Sequence, residues 1–424
     1  MRVRCALQCI ALLAPLADAL LAPRCTHPAR AMRGRSGIAL AAAPAATVAS
    51  TKVFAAAIGA VSRLVVTTAL GAATVKANIV TPEQINGLAK VVYNFFLPCF
   101  LFTAIVRTVA NYGLSPELLL LMPAAACAQI GIAFLVSCFV LVPLVGVPPR
   151  SAAARELTLS GSFGNPGVLP LLFFDALFAG ARDASLLPRL VALTSFYLIG
   201  FTPAFWALGN AILADDDADA ACLVTSPDEC VGPTRLDRAR KALTALLKPP
   251  PVRAALGGVA VAAFAPLRLS LVGPDARLAH VFAAMTRFAG AYLPSASLVL
   301  AGSLIAGGGK EDDEDAGDAL DLRRIVALCL HRFCLLPALG AGALFGLASV
   351  GLMPAPRAAP LAWFFLLTQF TMPPAQNTVV MFQLRDDPKA AKRQARTLLV
   401  VYAAAVVPIA LLFNAYLSVC ALNI

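Results

Sequence analysis

Long apolar runs recur along this 424-residue chain, separated by short polar connections. A helix needs about 20 mostly apolar residues to cross the hydrocarbon core of a bilayer. Ten stretches behind the first fifty residues reach or approach that length: Lys52 to Val75, Ile85 to Val109, Pro116 to Val147, Ala152 to Phe178, Leu187 to Leu213, Val252 to Val272, Leu278 to Ala306, Leu322 to Gly351, Pro360 to Leu384 and Ala395 to Leu422. The pattern predicts an all-α polytopic membrane protein of about ten transmembrane helices. A polar segment, Ala214 to Pro251, separates the fifth stretch from the sixth. It is acidic at Asp215, Asp216, Asp217 and Asp219 and basic at Arg235, Arg238, Arg240 and Lys241, as a solvated linker is. The chain therefore divides into a leader (1–50), a first five-helix repeat (51–213), a cytosolic linker (214–251) and a second five-helix repeat (252–424). An odd number of spans per half inverts the second half relative to the first.

Two of the ten stretches are interrupted. In the ninth, Pro373 and Pro374 stand together amid apolar residues, flanked by Gln369, Thr371, Gln376 and Asn377. Each proline removes an N–H and crowds the preceding turn, so a helix must break there. In the fourth, Gly164-Asn165-Pro166-Gly167 and Pro170 give the same signal. Irregular backbone at membrane depth is tolerated where it is buried in protein or lines a cavity. Interrupted helices at corresponding places in two halves point to a carrier's binding site; a pair of merely kinked structural helices is the alternative.

Composition supports the membrane assignment: 59% of residues are hydrophobic and only 13% charged, against about 25% charged in soluble domains. The net charge of +11 is dispersed between apolar runs, with no basic patch interleaved with aromatics, so nucleic acid is not an expected partner. On the side of the central linker the connections carry 18 lysines and arginines, and on the other side six, which makes the linker cytosolic. Most cysteines stand singly in apolar runs, as Cys99, Cys127, Cys138 and Cys420 do, without zinc or redox spacing. Gly307-Gly308-Gly309-Lys310 lacks the spacing of a phosphate-binding loop, and the acidic run Glu311 to Asp315 behind it is again a connection. At the start, Arg2 and Arg4, an apolar run and Ala17-Asp18-Ala19 form a signal peptide. The acid-free stretch Leu20 to Ser50, with Arg24, Arg30, Arg33 and Arg35, has the composition of a transit peptide or of a lumenal tail. Endoplasmic reticulum and plastid envelope are the expected membranes.

Leu367 to Asn377 with Met381-Phe382-Gln383-Leu384 resembles the ninth-helix motif of the PIN-LIKES branch of the auxin efflux carriers. Thr81 to Val109, with Tyr93, Phe95 and Pro98, is similar to the second helix of that family. Gly164-Asn165-Pro166-Gly167 with Pro170 resembles the fourth, and Pro294 with Leu300 to Leu304 the seventh. The chain departs from the family in carrying Val168 where a second Asn is usual, and Gly290 where an acid precedes the seventh-helix proline. The resemblance covers about Lys52 to Leu422. It implies two inverted five-helix repeats whose broken helices, four and nine, cross at the membrane midplane. It also implies transport of indole-3-acetic acid or similar weak organic anions.

A carboxylate at the midplane requires hydrogen-bond donors and positive potential, which half-helix N-termini supply. The expected substrate-binding residues are Asn165, Pro166, Pro170, Gln369, Thr371, Pro373, Pro374, Gln376 and Asn377. Asn165 and Asn377 offer uncharged donors; satisfying carbonyls freed by the prolines is their alternative role. Asp175, the one acid well inside a predicted span, is the candidate for carrying a coupling proton, and a water-facing helix end is the other explanation of it. Arg63, Arg287 and Arg332 stand close enough to span ends to snorkel, and His280 and His331 read as structural. No metal or cofactor is expected, and the scarcity of intramembrane acids and histidines argues against an enzyme. The expected partners are a small organic anion and the lipid bilayer, with a homodimer left open. A sodium-coupled bile-acid-type symporter and a non-transporting receptor are the other function classes.

Overall fold

The computed structural model describes residues 43–113, 116–178, 181, 183–214, 247–273, 276–305 and 322–422. The signal peptide, most of the transit stretch, most of the linker and the Glu311 to Asp315 run lie outside the described residues. Helix α1 (Ala43–Lys76) begins eight residues ahead of the repeat boundary at residue 51 read from composition. It is followed by α2 (Pro82–Val91), which opens on a capping box: Thr81 Oγ1 accepts from the Gln84 N–H, and Gln84 Oε1 accepts from the Thr81 N–H. A π turn, Val92–Phe96, carries it into α3 (Leu97–Tyr112). Next come α4 (Pro116–Val136), a second π turn at Ser137–Leu141 and α5 (Val142–Val145). Then follow α6 (Ala152–Ser162), α7 (Val168–Phe178) and α8 (Leu186–Leu213). Beyond the linker lie α9 (Pro250–Ala263), α10 (Ala265–Leu271) and α11 (Ala279–Ile305). A third π turn, His331–Leu335, joins α12 (Leu322–Leu330) to α13 (Leu336–Ser349). The chain continues through α14 (Pro360–Thr371), α15 (Asn377–Leu384) and α16 (Pro388–Cys420).

Every π turn has one cause in the sequence. A proline (Pro98, Pro143 or Pro337) is the second residue of the helix that follows it. The ring has no N–H and crowds the carbonyl one turn back. The backbone accommodates it with one wider loop, closed by Leu97 N–H to Val92 O, Val142 N–H to Ser137 O and Leu336 N–H to His331 O. These three helices bend past their prolines and continue.

Among the described residues five helices are long and apolar enough to cross a membrane: Glu83–Asn111, Leu120–Val145, Leu186–Leu213, Leu322–Ser349 and Pro388–Cys420. A sixth is added if α9 and α10, bent by 104°, form one span. The sequence pattern reads residues 252–272 as one uninterrupted span. Instead Phe264 leaves the helix (φ −88°, ψ 97°) ahead of Pro266, and the chain turns. The fourth and ninth stretches are each divided into helices of 8 to 12 residues, too short to cross alone. Large apolar side chains face outward along the bundle, among them Leu70, Leu120, Phe139 and Leu411. In water such a surface would aggregate; against lipid tails it costs nothing. Among the described residues the fold is all-helical, and the chain is an integral, multi-pass membrane protein.

Small residues set how closely the helices meet. A Cβ on Gly200 of α8 would lie 2.4 Å from the carbonyl oxygen of Pro123 in α4, and one on Gly340 of α13 2.3 Å from the Phe370 ring of α14. Helix α3 packs on α9 and α11, α11 and α16 pack on α1, and α14 and α15 lie along α16. At the centre the two breaks meet. Residues 163–167 and 372–376 leave the helix and run antiparallel for one bridge, Gly164 with Pro374. The Asn165 N–H donates to the Pro373 carbonyl at 2.8 Å, and the Ala375 N–H to the Phe163 carbonyl at 2.9 Å. Backbone groups freed by the prolines of one break are thus satisfied by the other.

Candidate functional site

A cavity opens beside this crossing, enclosing about 470 Å³ of empty space with its mouth included. Its polar end is built from Asn165, Pro166, Gly167, Ala375, Gln376 and Asn377, where α7 and α15 begin. Its walls are apolar and largely aromatic: Phe100 from α3, Phe201, Phe205 and Trp206 from α8, and Tyr292 from α11. Phe100 stacks on Tyr292 with ring centroids 5.1 Å apart, and Phe201 on Phe205 at 6.0 Å. Two helix N-termini bring the positive ends of their dipoles to one place. That end suits an anionic group and the walls suit a flat apolar body.

The expected residues divide according to whether they line this cavity. Asn165 does, and it is fully committed: Nδ2 donates to the Tyr402 hydroxyl at 3.4 Å, and Oδ1 accepts from the Leu169 N–H at 3.4 Å. Asn377 is half-buried, with Oδ1 accepting from the Tyr292 hydroxyl at 3.0 Å, which leaves its amide N–H donors for the cavity. Gln376 is 3% exposed, and neither Nε2 nor Oε1 has a hydrogen-bond partner among the described residues. A buried amide without partners is costly unless something else occupies its donors and acceptor. Pro166 lines the cavity as well.

The other expected residues build the frame behind it. Gln369 Nε2 donates to the Pro166 carbonyl at 3.2 Å. Thr371 Oγ1 donates to the Leu367 carbonyl at 3.0 Å and meets the Tyr416 hydroxyl at 2.7 Å. Pro373 and Pro374 act through their carbonyls, which accept from the Asn165 N–H and from the Tyr402 hydroxyl at 2.7 Å. Pro170 is buried within α7. Asp175 lies seven residues into α7, about 10 Å along its axis, and is not among the cavity-lining residues.

Sequence reasoning passed over the residues that hold the crossing together. Gln129 of α4 donates from Nε2 to the Gln369 carbonyl at 2.6 Å, and its Oε1 accepts from the Tyr197 hydroxyl. Gln394 of α16 accepts from Ser160 Oγ of α6 at 3.0 Å and donates to Thr378 Oγ1 of α15 at 2.8 Å. Tyr197, Tyr292, Tyr402 and Tyr416 all direct their hydroxyls to this network. The available signal was their rarity, since the chain has only six tyrosines, and a buried phenol needs a partner. Arg332 is a correction. A snorkelling role requires an exposed head group, yet Arg332 is 0% exposed; the π turn at residues 331–335 points it into the bundle. Arg287 is exposed, and the side chain of Arg63 lies outside the described residues. His331 is buried, its Nε2 between the Gly161 carbonyl at 3.1 Å and Ser137 Oγ at 3.3 Å.

Comparison with known proteins identifies a family. Protein PIN-LIKES 7 of Arabidopsis thaliana is 26% identical over 354 residues, which cover 74% of this chain and 85% of that protein. Protein PIN-LIKES 5 of the same plant is 30% identical over 149 residues, 35% of each chain. The sequence profile described as membrane transport protein matches residues 56–413, across both breaks and the whole cavity. The chain belongs to that membrane transport protein family, the family of the auxin efflux carriers.

Proposed function

We propose that this membrane transport protein is a carrier of small aromatic organic anions of the auxin type, indole-3-acetic acid or a similar weak acid. The observation that carries this reading is the polarity of the cavity. Gln376 and Asn377 present donors where two helices begin, opposite a wall of Phe100, Phe201, Phe205, Trp206 and Tyr292. A carboxylate fits the first and an aromatic ring the second. Ten spans in two inverted five-helix repeats account for paired breaks in the fourth and ninth, and for prolyl π turns in the third and eighth. The cavity lies between α3 and α11 on one side and the crossing on the other. Relative movement of these two parts would present the anion to each face of the membrane in turn. The positive connections set the linker on the cytosolic side. No carboxylate lines the cavity, which favours an anion carrier over a sodium-coupled symporter.

Purified protein in proteoliposomes tests the proposal. Saturable uptake of labelled indole-3-acetic acid, independent of sodium, is the expected result. Saturable binding without uptake would make the protein a receptor, and uptake only with sodium would make it a symporter. A hydrogen bond to a charged group is worth about 1.5–3 kcal/mol. Asn377→Ala should therefore weaken binding per folded molecule roughly 10- to 150-fold, with a lowered melting temperature from the stranded Tyr292 hydroxyl. Unchanged affinity in a folded Asn377→Ala variant would remove this residue from the site.

A further inference from the structure

Arg332 is the largest charged side chain in the interior, and it is 0% exposed. Among the described residues its Nε, Nη1 and Nη2 have no hydrogen-bond partner. The titratable groups beside it are the phenols of Tyr197 and Tyr402, which are uncharged at neutral pH; His331 precedes it in the same π turn. The guanidinium rests against the crossing itself. A Cβ built on Gly164 would stand 3.3 Å from Nη1, 3.3 Å from Nη2 and 3.3 Å from the Met372 carbonyl oxygen. Glycine is therefore the residue that lets the charge approach the bridge between the two breaks.

An arginine keeps its proton even when desolvated, so it cannot escape burial by neutralising. An unpaired ion at membrane depth is expensive and marks function by default. The carbonyl ends of α6 and α14, Ser162 and Thr371, close near the bridge and offer partial negative charge. Partial dipoles offset part of one full charge, and they leave the guanidinium donors without partners. The next residue after Gly164 is Asn165, which lines the cavity.

Resting on the carrier reading above, we propose that Arg332 is the fixed counter-charge that makes the cavity select an anion over a neutral molecule of the same shape. It does not line the cavity. It is a positioning residue that acts through the field it places across the Gly164-Asn165 backbone. An anion in the cavity would see that field at low dielectric, where charge interactions reach further than in water.

The test compares two probes, indole-3-acetic acid and its neutral amide, binding to purified full-length protein at pH 7. Wild type should prefer the acid by roughly 10-fold or more. Arg332→Gln should abolish that preference, weakening the acid and leaving the amide within about twofold. A structural role would weaken both probes alike, and that result, or an unchanged ratio, overturns the proposal. If Arg332→Gln does not fold, Arg332→Met, also uncharged and of similar length, decides: a ratio near one supports the counter-charge, and a retained preference for the acid refutes it. A wild-type protein that binds both probes equally overturns this inference alone. One that binds neither overturns the carrier reading with it.

Discussion

Gln129 uses both ends of its amide, donating to the Gln369 carbonyl and accepting from Tyr197. Gln376 uses neither end, although it is just as buried. The same side chain should therefore answer differently to the same substitution. Gln129→Leu strands the Gln369 carbonyl and the Tyr197 hydroxyl, at a cost of about 1–3 kcal/mol for each group left unsatisfied. Its melting temperature should fall, with the affinity of each folded molecule little changed. Gln376→Leu strands nothing and removes a desolvated amide, so its melting temperature should hold or rise while anion affinity drops roughly 10-fold or more. Melting curves and binding isotherms on both variants check the division; a reversed pattern would exchange the frame and the site. This distinction was not legible in the sequence. Prolines marked the neighbourhood of Asn165, Gln376 and Asn377, which line the cavity, but Gln369 and Thr371 carry the same polar signal and face the frame. Arg332 was misread because its distance from a span end says nothing about which face of the helix it occupies.

Helices show a similar limit. Proline was read correctly as a point where regular backbone fails, and the breaks lie at Pro166 and at Pro373-Pro374. Pro98, Pro143 and Pro337 were not separable from these by type. Each of these three follows a π turn and the helix recovers beyond it, while Pro123, Pro203, Pro294 and Pro408 stand inside helices that continue without one. Two adjacent prolines, or Pro166 between glycines, leave no such recovery. Contacts between helices were less legible still, since a glycine in an apolar run looks like any other small residue. Gly200→Ala would set a methyl 2.4 Å from the Pro123 carbonyl oxygen and 2.6 Å from its Cα. Backbone cannot rotate away as a side chain can, so the loss should be about 1–3 kcal/mol. A lowered melting temperature is expected; an unchanged one would mean that α4 and α8 are free to part. Gly257→Ala, with nothing within 4 Å of the new methyl, is the matched control.

On the scale of the whole molecule, hydropathy was sufficient to identify a membrane protein with many spans. It was insufficient to number them, because a broken helix is apolar enough but not long enough, and the bend at Phe264 has no hydropathic signature. Polar links between the halves were also hidden, since they join residues hundreds of positions apart. Arg393 of α16 meets Glu156 of α6 at 2.6 Å. Arg393 is 40% exposed, so the pair is worth about 1 kcal/mol or less. Glu156→Arg should lower the melting temperature, and adding Arg393→Glu should recover part of the loss. Strictly additive losses would show that the pair contributes nothing.

The paired backbone at the crossing bears on what can travel. Asn165 and Ala375 each hand an amide proton to the opposite break. Either broken helix could slip past the other only by surrendering both bonds. In an apolar medium each is worth about 4–6 kcal/mol. Two segments remote in the chain are thereby fastened into a single cradle. For the carrier proposed above, a bound anion would be passed along with its seat, as freight is with a pallet.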